Sequence, residues 1–85
     1  MTFRLSRVVS GQRVTFAFSG ELTRKELPEV AAILERERSR PIVVDLADLT
    51  MASREGIEYL RHAAADGAEL VNCLPYICRW IEAKE

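Results

Sequence analysis

The chain has 85 residues, 48% apolar and 29% charged, with 12 basic against 13 acidic side chains and a formal net charge of −1. This length fits one domain spanning residues 1–85, and the charge balance leaves no basic footprint for nucleic acid and no polybasic membrane anchor. No apolar run approaches the roughly 18 residues of a membrane-spanning helix, and the opening MTFRLSRVVSGQ is too short and too polar for a secretory signal, so a cytoplasmic protein is expected.

The first segment alternates. Phe3 and Leu5 stand against Arg4 and Ser6, which predicts a strand, and Ser10-Gly11 marks a hairpin turn. Val14, Phe16 and Phe18 alternate with Thr15 and Ala17, a second strand with one strongly apolar face that Ser19-Gly20 should end. Arg4 and Arg7 would guard the first strand if it forms a sheet edge.

The next segment is helical, with two candidate starts. Thr23 followed by Glu26 fits a capping box. Pro28 fits equally well in the first turn of a helix opening near Leu27. Either start places Leu27, Val30, Ala31 and Leu34 on one face and turns the run Glu35 to Arg38 towards water.

Ile42 to Leu46 is continuously apolar apart from Asp45, which predicts a central strand covered on both faces, followed by a short polar loop. Ser53 is a good N-cap for the helix after it, whose buried stripe should be Ile57, Leu60, Ala63 and Ala64, and Asp66-Gly67 ends that helix. A short strand over Ala68–Val71 follows. A last helix starts at Pro75, with Leu74, Ile77 and Ile81 on its inner face and Trp80 packed beside them. The order strand, strand, helix, strand, helix, strand, helix implies an α/β fold. It has a small mixed sheet of about four strands, an initial hairpin followed by parallel crossovers, with helices mainly on one face.

Chemistry-bearing groups are few. Cys73 and Cys78 lie five apart and, with His62 the only histidine, cannot assemble a four-ligand zinc site within one chain. They read as small apolar packing residues, so neither metal nor cofactor is expected. Asp45 at a strand end is expected to accept loop amides rather than act as a catalyst. His62 reads as a rim residue. No Gly-rich phosphate loop, Ser-His-Asp set or distinctive carboxylate pair is present, and no enzymatic activity is expected. Tyr76 and Trp80 could form an aromatic docking patch, but core packing is the expectation for Trp80. Arg79 should lie outward.

Phe16 to Leu22, Val43 to Thr50, Gly56 to Leu60 and Ala65 to Leu70 together resemble the STAS family, whose name joins sulfate transporters and anti-sigma-factor antagonists. The resemblance spans nearly the whole chain and implies a non-catalytic regulatory module, of bacterial signalling type, with a protein partner such as an anti-sigma factor or serine kinase. In regulatory members the helix is preceded by Asp-Ser-Ser-Gly, and a partner kinase phosphorylates the first Ser to release itself. The matching residues here are Ser53, Arg54, Glu55 and Gly56. Only Gly56 agrees. Arg54 occupies the place of the phosphorylated hydroxyl, and Glu55 places a fixed negative charge at the favourable end of a helix dipole.

The expectation is therefore a partner-binding surface over Thr50, Ser53, Arg54, Glu55 and Gly56. Ser53 caps, Arg54 and Glu55 make contact through fixed charge, and Gly56 allows close approach. Two alternatives remain: phosphorylation of Ser53 or Thr50, and a structural homo-oligomer, such as a homodimer, with an exposed apolar patch on the first strand or last helix.

Overall fold

The computed structural model describes residues 3–82. Strands β1 (Phe3–Ser10) and β2 (Arg13–Leu22) form the hairpin, followed by α1 (Leu27–Arg36), β3 (Ile42–Ala52), α2 (Arg54–Ala65), β4 (Glu69–Val71) and α3 (Pro75–Glu82). The strands lie side by side in chain order as one four-stranded sheet. β1 pairs antiparallel with β2, while β2–β3 and β3–β4 pair parallel. This is the mixed sheet and crossover order read from the sequence.

Alternation in β2 turns Val14, Phe16 and Phe18 to one face, where all three are fully buried. The register sets Phe16 beside Val44, and Val44 and Leu46 continue that buried face. Each helix adds to the same core: Val30 and Leu34 from α1, Ile57 and Leu60 from α2, Ile77 from α3. Val43 alternates to the opposite face. It is buried there too, though apart from this cluster, so both faces of the central strand are withdrawn from water at Val43 and Val44, as its unbroken apolar run predicts. No helix among the described residues is long and apolar enough to cross a membrane.

Both candidate starts of α1 contribute to what forms. The helix begins at Leu27 with Pro28 in its first turn. Ahead of it, the Glu26 carboxylate accepts from the backbone N–H and the hydroxyl of Thr23, at 2.9 and 2.6 Å. These bonds lower the Glu26 pKa below the ordinary carboxylate value, the Thr23 hydroxyl being the largest cause. At the other end of α1, Glu37 binds Arg7 of β1 at 2.9 Å and lies 3.6 Å from Arg40.

Four expectations need correction. β2 does not end at Ser19-Gly20, and the polar loop after Leu46 does not form. Both strands run on in parallel to Leu22 and Ala52, through register shifts between Ala17 and Ser19 and between Gly20 and Glu21. These shifts turn Leu49 and Ala52 into the core and place Thr50 in the strand tail. Ala64 is exposed, so the inner stripe of α2 consists of Gly56, Ile57 and Leu60, with Ala63 half-buried. Trp80 is 49% exposed and does not pack into the core. α3 carries two adjoining stripes, Tyr76/Trp80 and Ile77/Ile81, and only the second meets the cluster.

Candidate functional site: the tip of α2

The tip of α2 is built by the paired ends of β2 and β3. Leu22 is the last residue of β2, and its carbonyl accepts from the Ser53 N–H at 2.9 Å, fixing the chain where β3 turns into the helix. Ser53 is extended, with φ −74° and ψ 172°, and its hydroxyl accepts from the Gly56 N–H at 3.1 Å. This satisfies one of the first-turn amides that a helix leaves unpaired. Ser53 therefore caps, as its position predicted.

Gly56 is buried, and a Cβ built on it would lie 2.7 Å from the Leu22 carbonyl oxygen. The close approach that Gly56 permits is between α2 and this chain's own β2. That leaves Arg54 and Glu55 as the outward residues of the first turn, both exposed. The Arg54 side chain is 87% exposed, and its Nε lies 3.9 Å from Glu58, one helical turn along. At that distance and exposure the contact is worth about 0–1 kcal/mol, and the guanidinium stays available to an outside carboxylate.

Thr50 lies beside this turn. Its hydroxyl donates to the Gly20 carbonyl at 2.9 Å, and its own carbonyl accepts from the Tyr76 hydroxyl of α3. Tyr76 meets Trp80 edge to face, with ring centroids 6.2 Å apart. Met51, Tyr76 and Trp80 are three of the large apolar side chains that this molecule exposes, and the Tyr76–Thr50 bond joins them to the strand tail below the α2 tip. Arg61 of α2 fastens the far end of α3, donating to the carbonyls of Trp80 and Ile81 at 2.8 and 2.9 Å. Trp80, expected in the core, instead pairs with Tyr76 as an exposed aromatic patch, the other reading its position allows. Its only signal in the sequence is the second i, i+4 stripe on α3.

The remaining candidates lie elsewhere. Asp45 accepts from the Ala47 N–H at 3.0 Å and from the Asn72 side-chain amide at 3.1 Å; it is an acceptor as expected, but inside β3 rather than at a strand end before a loop. Asn72, at φ 56°, turns the chain from β4 towards α3. Cys73 and Cys78 are free and half-buried. Burial, and then the hydrogen bond with Cys78, push the Cys73 thiol up to about 12, the behaviour of an unreactive packing residue. His62 is exposed and lines a cleft of about 380 Å³ between α1 and α2, together with Leu34, Arg38, Arg40, Ile42 and Tyr59. Burial raises the Tyr59 pKa, and the charges of Glu35 and Asp66 raise it further. Among the described residues no three His, Cys, Asp or Glu side chains are grouped to hold a metal ion.

No family model matches this sequence, and no curated protein matches it. A solved structure does: that of the anti-sigma factor antagonist SpoIIAA in its unphosphorylated form, at a TM-score of 0.72 and 15% sequence identity. The match covers 95% of this chain and 78% of that one. The four-stranded mixed sheet and its helices thus form the STAS-like fold, shared with an anti-sigma factor antagonist.

Proposed function

We propose that this chain is a non-catalytic regulatory module that docks a protein partner through the tip of α2, using fixed charges in place of a serine phosphorylation switch. The observation that carries the reading is Arg54. It is the first residue of α2 and projects freely into solvent, where the antagonists that the sequence resembles carry the hydroxyl that receives phosphate. Arg54 offers no hydroxyl for a serine kinase to phosphorylate, but its forked donors suit a carboxylate on a partner. Glu55 beside it supplies a permanent negative charge, stabilised by the helix dipole by about 0.3–1 kcal/mol.

The two hydroxyls nearby are already engaged, Ser53 as the helix cap and Thr50 with the Gly20 carbonyl. The partner class is an anti-sigma factor or related serine kinase, and Met51, Tyr76 and Trp80 supply apolar and aromatic area of the kind that dominates such interfaces.

The test is co-expression with the serine kinase or anti-sigma factor encoded in the same genome. The complex should form, persist when ATP is added, leave the mass of this chain unchanged, and weaken on Arg54→Glu. Phosphate found on Ser53 or Thr50 would replace the fixed-charge reading with a phosphorylation switch. A complex indifferent to Arg54→Glu would move the docking surface away from this tip.

A further inference from the structure

Among the described residues the sheet has one long free edge. β4 closes one side with only Glu69–Val71, whereas β1 runs for eight residues along the other and exposes Val8 and Val9, at 58% and 45%. A long edge with apolar side chains is a template for pairing unless its sequence opposes it.

The hairpin fixes which backbone groups of β1 are free. Gly11, at φ +63°, opens the two-residue turn Gly11–Gln12, closed by the pair Ser10–Arg13. Hydrogen-bonded and non-bonded pairs alternate from that closing pair. Ser10, Val8, Ser6 and Arg4 therefore bond to β2, while Val9, Arg7, Leu5 and Phe3 turn their N–H and C=O outward. The Val14 N–H confirms the phase. It donates to the Pro41 carbonyl at 3.0 Å, away from its partner Val9.

We propose that β1 pairs antiparallel with β1 of a second copy of this chain, about a twofold axis through Ser6, joining the two sheets edge to edge. In this register Phe3 faces Val9 of the second copy and Leu5 faces Arg7, so that outward amides meet outward amides. Arg4 faces Val8, and Ser6 faces itself. Any axis between two residues would set outward groups against inward ones and make no ladder. An axis on Arg7 would oppose two guanidiniums, and axes on Leu5 or Val8 shorten the ladder. Among the described residues the Ser6 and Arg7 registers give the longest ladders, and of these Ser6 alone opposes no like charges. Arg4 and Arg7 do not guard against it, because each meets an uncharged side chain; Arg7 is moreover neutralised by Glu37.

A ladder over Phe3–Val9 buries too little to be obligate, so the dimer is concentration-dependent. Sedimentation velocity on the intact chain, up to millimolar concentration, tests it. The wild-type coefficient should rise with concentration. Val9→Pro removes an N–H that makes no bond within the chain, so it should leave circular dichroism unchanged and hold the protein monomeric.

Substitution of Val8 gives a signed test. Val8→Glu faces Arg4 of the second copy and should tighten the dimer, and Val8→Lys should weaken it, by roughly two- to thirtyfold over the two symmetric cross-strand pairs. A wild-type chain that stays monomeric throughout, or a dimer indifferent to Val9→Pro or to the sign of charge at position 8, would overturn the proposal.

Discussion

Gly56 and Leu22 are in backbone-to-backbone contact: the α-carbon of the helix residue faces the carbonyl oxygen of the strand residue so closely that a methyl group on Gly56 would stand 2.7 Å from that oxygen. The same carbonyl already accepts from the Ser53 N–H, so it cannot swing aside without releasing the helix start. Gly56→Ala should therefore destabilise the fold. Overpacking of about 1–3 kcal/mol exceeds the gain of about 1 kcal/mol that Ala brings to a helix interior. A lowered denaturation midpoint with an unchanged slope is the expected result, and a rise in the midpoint would refute the contact.

Ser53→Ala should remove the cap at the α2 start and cost about 0.5–2 kcal/mol. Ser53→Asp keeps an acceptor at the same place and should restore most of that loss. Thermal unfolding of the two variants side by side distinguishes capping from a role confined to partner contact, since only capping predicts recovery by Asp.

Trp80 and Leu60 make opposite demands on the fold. Leu60 is fully buried within the core cluster, and Leu60→Ala should cost about 2–5 kcal/mol. Trp80→Ala removes a far larger side chain, but one half in water, and should cost clearly less in the same urea titration. A larger loss for Trp80 than for Leu60 would place the indole inside after all. Binding should show the reverse order, with Trp80→Ala weakening partner capture while leaving the fold in place.

The Glu26 carboxylate gives the stability a pH dependence of known sign. Its pKa is lowered in the folded chain by the Thr23 hydroxyl and backbone N–H. Its stabilising contribution is therefore present above the ordinary carboxylate pKa and is lost as pH falls through the lowered folded value. The midpoint difference between wild type and Glu26→Gln should be largest at neutral pH and shrink in acid. A difference that grows as pH falls would contradict the Thr23–Glu26 bonds.

Most of the architecture was legible because binary pattern dictates it. The alternation Val14, Phe16, Phe18 and the stripe Leu27, Val30, Leu34 each have one period, and each forms the element that period requires. The tail of β3 was not legible. Leu46, Leu49 and Ala52 recur every third residue, a spacing that no regular strand produces. They face inward together because the register shifts against β2 interrupt the alternation. The α2 cap could be read from Ser53 alone, whereas the constraint on Gly56 depends on where Leu22 ends, a contact across more than thirty positions of chain that spacing does not carry. Trp80 departs from its expected place for another reason. Two apolar stripes on one short helix both satisfy helical periodicity, and only the tertiary fold decides which turns inward.

The clasp between Arg61 and the last turn of α3 bears on how the surface can respond. Among the described residues α3 spans Pro75–Glu82, a length at which a helix is marginal by itself, and its Trp80 and Ile81 carbonyls accept from one guanidinium of the neighbouring helix. Any ligand that recruited Arg61 for its own acceptors would strip those carbonyls of their donor. The final turn would then fray, and the indole would part from the phenol. Contact at α2 would thus be transmitted to α3 as melting rather than as a rigid displacement.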